Sequence, residues 1–222
     1  ERAAQVPPPT RQKEEHMKPA AVVFDIGNVL IEWQPERFYD SVIGEDRRRA
    51  MFAEVDLHGM NDLVDSGQHF TDTIYAAAEA NPAWRDEIRM WHDRWIEMAA
   101  PVIPRSLRLK EALQAKGVPV FSLTNFGIQS YDHAAEHYPF LRAFDRDFIS
   151  GHMGMIKPDP AIYAALEEGS GLSGDALLFT DDRIDNINAA NARGWQTHHF
   201  TGPDGWADRL VAAGLLTEAE AA

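Results

Sequence analysis

Apolar positions fall in two rhythms along this chain. Residues 20–24 form an apolar ribbon that stops at Asp25 and is followed by a Gly27-Asn28 bend. Residues 118–123 stop at Thr124-Asn125, residues 146–150 lead to Lys157, and residues 176–179 stop at Thr180-Asp181-Asp182. Short runs of this kind, bounded by turn-forming or polar residues, predict strands covered on both faces. Between them the spacing becomes helical. Leu109, Ala112 and Leu113 make a stripe closed by Gly117, and a second helix is predicted over 128–137. Ile162, Ala165 and Leu166 make another, opened by Pro158-Asp159-Pro160 and closed at Gly169. A helix over 186–192 closed by Gly194, a strand over 195–200 and a helix over 205–213 complete the pattern.

Alternating strand and helix signals predict an α/β fold with a doubly wound, parallel, Rossmann-like sheet. The stretch from Gln34 to Pro104 breaks the alternation, because it carries no strand signal. Helices are predicted there over 46–55, 70–80 and 83–99, the last two separated by Asn81-Pro82. The expected organisation is a core of residues 19–33 and 104–222 with a helical insertion over 34–103. Residues 1–18, with Pro7-Pro8-Pro9 among polar neighbours, read as a flexible tail or cloning remnant, with Met17 a candidate native start.

Composition narrows the function. The chain has 222 residues, 45% of them hydrophobic, enough for one domain with a large insertion or two small ones. Its 21 basic and 35 acidic residues give a formal charge of −14. That excess argues against nucleic-acid or anionic-membrane partners. It does not exclude an anionic substrate, since one bound cation reverses a local field. There are no cysteines, hence no disulfide and no thiolate metal site. No run reaches the ~20 apolar residues of a membrane span. A cytoplasmic location is the natural expectation.

The polar residues at the predicted strand ends carry the chemistry. In an open parallel sheet they share the rim where ligands bind. Asp25, Asp181 and Asp182 would then meet there, each close pair repelling by roughly 4 kcal/mol in a partly buried setting. Such a cluster calls for a cation or bound protons, and a few hard oxygens suit Mg²⁺. Asp181-Asp182 as a plain helix cap is the bland alternative. Lys157 stands in a loop stiffened by Pro158 and Pro160, so an ammonium there has a defined direction. Thr124-Asn125-Phe126-Gly127 offers a hydroxyl and backbone N–H groups at a helix entrance, an anion cradle or an ordinary cap.

In this order, Phe24-Asp25-Ile26-Gly27-Asn28, Leu123-Thr124-Asn125, Lys157-Pro158-Asp159-Pro160 and Asp181-Asp182-Arg183-Ile184-Asp185-Asn186 resemble the four motifs of the haloacid dehalogenase (HAD) superfamily. The resemblance is to the branch with a helical cap after the first strand, and within it to the Asp-x-Gly-Asn sugar-phosphate phosphatases. It implies a Mg²⁺-dependent phosphatase acting on a small phosphorylated metabolite. Asp25 would be the nucleophile forming an aspartyl-phosphate. Thr124 and Asn125 would hold phosphoryl oxygens, and Lys157 would orient Asp25. Asp25, Asp182 and the Gly27 carbonyl would bind Mg²⁺, with Asp181 a further direct or water-mediated ligand and Asn186 positioning the loop. One departure stands out. Most family phosphatases carry an acid–base aspartate two residues after the nucleophile, where this chain has Gly27. The proton would then come from a cap residue, solvent or the substrate.

Within the insertion, Trp91, Trp95 and Met98 share a helical face and are expected to pack the cap. Trp33 is placed to line the pocket mouth. His58, Asn61 and Asp65 either reach a substrate hydroxyl or lie in solvated loop. His198-His199 is rejected as a metal pair, since adjacent strand residues point to opposite faces. Two other functions compete: a 2-haloacid dehalogenase, which the motif-four acidic pair disfavours, and a non-catalytic phosphate-binding module.

Overall fold

The computed structural model describes residues 17–222, so residues 1–16 of the expected tail lie outside the described residues. The chain begins with β1 (Ala21–Phe24) and β2 (Ile31–Trp33). Six helices follow: α1 (Pro35–Ile43), α2 (Glu45–Glu54), α3 (Leu57–Asp65), α4 (Phe70–Ala80), α5 (Arg85–Asp93) and α6 (Trp95–Met98). It then runs through β3 (Ala99–Val102), α7 (Pro104–Ala115), β4 (Val120–Thr124), α8 (Ile128–His137), β5 (Arg146–Ile149), α9 (Ser150–Met153) and α10 (Pro160–Ser170). It ends with β6 (Leu177–Asp181), α11 (Ile184–Ala192), β7 (Gln196–His199) and α12 (Pro203–Ala212).

Five strands form one parallel sheet in the order β5-β4-β1-β6-β7. The chain starts at the centre and winds outward in both directions, the doubly wound arrangement. All four residues of β1 are buried, as a central strand with helices on both faces requires. Its side chains alternate between two cores. Val22 and Phe24 join the cluster that includes α7, α8, α12 and the inserted helices, whereas Ala21 and Val23 join Ile162, Leu166 and Ile187 of α10 and α11.

Local chemistry explains the boundaries. The Asp159 side chain accepts a hydrogen bond from the Ala161 N–H, and Pro160 opens α10. That helix runs past the expected stop at Gly169 to Gly171, which takes the left-handed conformation (φ 72°). Gly169 answers a different need. A Cβ there would lie 2.8 Å from the Phe148 ring, so the glycine lets α10 sit close to β5.

The inserted region departs from expectation in three ways. It is not wholly helical, because β3 pairs antiparallel with β2 in a two-stranded ribbon at its base. The predicted helix over 83–99 is broken: Pro82–Trp84 is a 3₁₀ turn, Arg94 (φ −125°, ψ 23°) interrupts the α-helix, and Ala99 already belongs to β3. The polar stretch around Asn61 is the regular helix α3, capped by Asp56, whose side chain accepts from the Gly59 N–H at 2.8 Å. No helix among the described residues is long and apolar enough to cross a membrane.

Candidate active site

β1 delivers Asp25 to the carboxyl end of the sheet, and the chain then turns sharply. The Ile26 carbonyl accepts from the N–H groups of Val29, Leu30 and Ile31. Asn28 sits at φ 54°, a left-handed conformation that asparagine tolerates better than most residues. The turn aims the Asn28 side chain at two targets. Its Nδ2 donates to Asp182 Oδ2 (3.0 Å), while its Oδ1 accepts from the Trp33 N–H (2.9 Å). Sequence reasoning passed over Asn28 as part of a bend; a non-glycine residue after a strand-end glycine was the available signal.

The three carboxylates do meet. Asp25, Asp181 and Asp182 each place an oxygen within 4.8 Å of the others. Lys157 lies beneath them, almost fully buried, with its Nζ 3.0 Å from Asp25 Oδ1, 2.6 Å from Asp181 Oδ2 and 2.8 Å from the Leu123 carbonyl. Those three acceptors use all three ammonium protons. Burial works against charge on Lys157, but Asp181 and Asp25 hold its pKa above the usual lysine value.

Each partner is fixed in turn. Asp181 is fully buried and receives the Asn186 amide on both oxygens (3.0 and 2.9 Å) and the Arg183 N–H on Oδ1 (2.8 Å). Asn125 clasps the Lys157 backbone, accepting from its N–H at 2.7 Å and donating to its carbonyl at 3.0 Å. Asp25 Oδ1 takes the Ile26 N–H (2.8 Å) as well as Lys157. Its Oδ2 has no hydrogen bond among the described residues.

Electrostatically the site is short of cations. Three carboxylates against one ammonium leave a formal charge of −2. The Asp25 carboxyl is pushed up to about 7 by burial, with Asp181 and Asp182 adding to the rise and Lys157 opposing it. Burial also raises Asp182. A small divalent ion would cancel this charge, and the hard oxygen donors match Mg²⁺. The residues fit such an ion, with Asp25 and Asp182 at the cavity surface and Asp181 behind them, already saturated by Lys157, Asn186 and Arg183.

The cluster opens into a cavity of about 520 Å³. Thr124, Asn125 and Lys157 line its floor, and Ile31, Trp33, Trp95 and Phe126 line its apolar side. Trp33, expected at the pocket mouth, is thus one of the residues lining this cavity. Trp91 and Met98 are buried packing residues, but Trp95 also reaches the cavity. His58 is at an exposed rim, 3.1 Å from Glu36, and Asn61 and Asp65 also line the cavity from α3. His198 lies against the Trp206 ring and His199 against the Asp182 carbonyl, so the two histidines do not converge.

The expected anion cradle after Thr124 is smaller than the sequence suggested. The Phe126 N–H donates to Ser150 Oγ (2.8 Å), which in turn donates to the Asp65 carbonyl (2.6 Å). Ser150 thus ties the loop after β4 to the end of α3. No sequence motif marked it.

A parallel α/β sheet whose strand ends gather an acid trio and a buried lysine places its charged groups at the rim where such sheets bind ligands. The chain belongs to the haloacid dehalogenase-like hydrolases, whose family model matches residues 19–194, and it is an enzyme of that family. It is 31% identical over 190 residues to the sesquiterpene phosphatase astK of Aspergillus oryzae, an alignment covering 82% of this chain and 89% of that one. Its fold is shared with a HAD family enzyme from Bacteroides thetaiotaomicron, solved as a mutant in complex with magnesium and inorganic phosphate (TM-score 0.61, 20% identity, 82% and 94% covered). It is shared also with L-2-haloacid dehalogenase from Xanthobacter autotrophicus (TM-score 0.58, 16% identity, 89% and 84% covered).

Proposed function

We propose that this enzyme is a Mg²⁺-dependent phosphatase that hydrolyses a small phosphomonoester through an aspartyl-phosphate on Asp25. The observation that carries this reading is the pairing of a carboxylate oxygen, free of hydrogen bonds among the described residues, with a −2 cluster that suits a divalent cation. Phosphoryl transfer depends mainly on positioning and charge compensation, which this rim offers. Asp25 Oδ2 would attack phosphorus while Lys157 holds Oδ1, so that the nucleophile presents one oxygen in a fixed direction. Thr124 and the Asn125 backbone would hold phosphoryl oxygens. Asp25, Asp182 and the Gly27 carbonyl would hold Mg²⁺, with Asp181 acting through Lys157 and Asn186. The bound ion would supply charge neutralisation and a template for the phosphate.

The resemblance in sequence points to sugar phosphates. The Trp33, Trp95 and Phe126 wall, together with likeness to a sesquiterpene phosphatase, favours an organic group with a substantial apolar face. A 2-haloacid dehalogenase reading fares worse, because an anionic haloacid gains nothing from three carboxylates balanced by a single ammonium. The test is phosphate release from a panel of sugar, alkyl and isoprenoid monophosphates with Mg²⁺ or with chelator. Release that requires Mg²⁺ is expected; halide release from 2-chloropropionate insensitive to chelator, without phosphate release, would overturn the proposal.

A further inference from the structure

A phosphomonoester with an alkyl leaving group needs a proton as its P–O bond breaks, and the position two residues after the nucleophile holds Gly27, which has none to give. Among the described residues lining the cavity, few groups can replace it. Lys157 has spent its three protons on Leu123, Asp181 and Asp25. Asp182 belongs to the acid trio. His58 and Asp62 lie on the exposed side, and Glu32 and Glu36 are engaged by Arg37 and His58. Asp65 differs from all of these: it lines the cavity from α3 yet is only 8% exposed.

Its setting is that of a held, neutral acid. The Trp91 Nε1–H donates to Asn61 Oδ1 (3.0 Å), which fixes the Asn61 amide so that Nδ2 donates to Asp65 Oδ2 (2.9 Å). The proton of the neutral carboxyl then belongs on the other oxygen. The Asp65 carbonyl accepts from Ser150 Oγ, pinning this residue's backbone to the loop that follows Thr124. Burial pushes the carboxyl up to about 8, Asp62 and Asp25 add to the rise, and the Gly127 N–H and Lys157 pull against it. At neutral pH Asp65 is mainly protonated.

Resting on the phosphatase reading above, we propose that Asp65 is the general acid and base of this site, supplied by the helical insertion. As Asp25 Oδ2 bonds to phosphorus and the phosphorus–oxygen bond to the leaving group breaks, the Asp65 proton moves to the leaving oxygen and releases an alcohol. Water then attacks the phosphorus of the aspartyl-phosphate. The Asp25–phosphorus bond breaks, inorganic phosphate leaves, and the water proton returns to the Asp65 carboxylate. Each cycle consumes one water and restores both carboxyl groups.

Leaving-group dependence tests this. Asp65→Asn keeps shape and neutrality but cannot give up a proton. With Mg²⁺, its kcat/KM, which covers steps only up to departure of the leaving group, is expected to fall about 10²–10⁴-fold on an alkyl phosphate, and on 4-nitrophenyl phosphate, whose leaving group needs no proton, by less than about tenfold. Equal losses on both substrates, or none, would overturn the assignment. The unmodified enzyme gives a second reading that needs no variant. Because the acid works only when protonated, kcat/KM on the alkyl phosphate should decline as pH rises through about 8, with no such decline for the nitrophenyl ester. A shared decline, or none, counts against Asp65. If the unmodified enzyme released phosphate from neither ester, the phosphatase reading itself would fail and this assignment with it.

Discussion

At the scale of single residues, the site turns on how few protons it has to give. Lys157 is encircled by three acceptors, and the acid trio has no donor of its own. Gly27 is not a glycine for reasons of backbone shape. Its φ lies outside the left-handed region, and a Cβ there would meet only Trp33 Cβ, at an ordinary 3.8 Å. The position therefore accepts a side chain. Gly27→Asp is expected to fold and, placed in the Asp65→Asn background, to restore turnover of an alkyl phosphate by at least about tenfold through a second route for the proton. A double variant that keeps its melting temperature but recovers no activity would show that proton supply is not what the change at Asp65 removed.

At the scale of elements, the helical insertion is attached to the sheet where the chemistry lies. Gly127 and Gly151 make that junction possible. A Cβ on Gly151 would lie 2.8 Å from the Phe126 carbonyl oxygen and 2.9 Å from the Ile128 nitrogen, both backbone atoms that cannot swing aside. A Cβ on Gly127 would run into the Val64 side chain of α3. Gly151→Ala is expected to cost about 1–3 kcal/mol. At roughly 2–4 °C per kcal/mol for a chain of this size, the loss is readable in a melting curve. It should also weaken turnover, because Ser150, next in the chain, links the Thr124 loop to Asp65. An unchanged melting temperature would mean that the two loops are less tightly apposed than their backbone spacing indicates.

This junction also marks where the sequence stops being legible. The central strands β1, β4 and β6 announced themselves as apolar runs, because a strand covered on both faces has little room for polar residues. The edge strands β5 and β7 carry polar residues and were legible mainly from the alternation of elements. Asp25, Lys157, Asp181 and Asp182 were visible because they ended such runs or stood in a stiffened loop. The β2–β3 ribbon was not, since each strand is short, β3 contains Pro101, and the pairing joins segments on either side of the whole insertion. Asp65 stood out only as one of three polar residues that either reach a substrate hydroxyl or lie in solvated loop, and Ser150 looked like an ordinary polar residue. Their positions depend on how α3 docks on the loop after β4, which no local periodicity encodes.

At the scale of the whole molecule, a sheet wound outward from β1 brings distant carboxylates to one rim, and the insertion supplies a partly apolar roof. The rim itself carries a formal charge of −2, which a divalent ion would cancel so that a phosphate can approach. The central claim is that Asp25 becomes covalently phosphorylated. Its most direct test is rapid acid quenching of the enzyme mixed with a ³²P-labelled phosphomonoester substrate and Mg²⁺. The account predicts an acid-stable, hydroxylamine-labile protein label that forms within one turnover and is absent from Asp25→Asn. Turnover without any labelled protein, or an equal label on the Asp25→Asn variant, would contradict it.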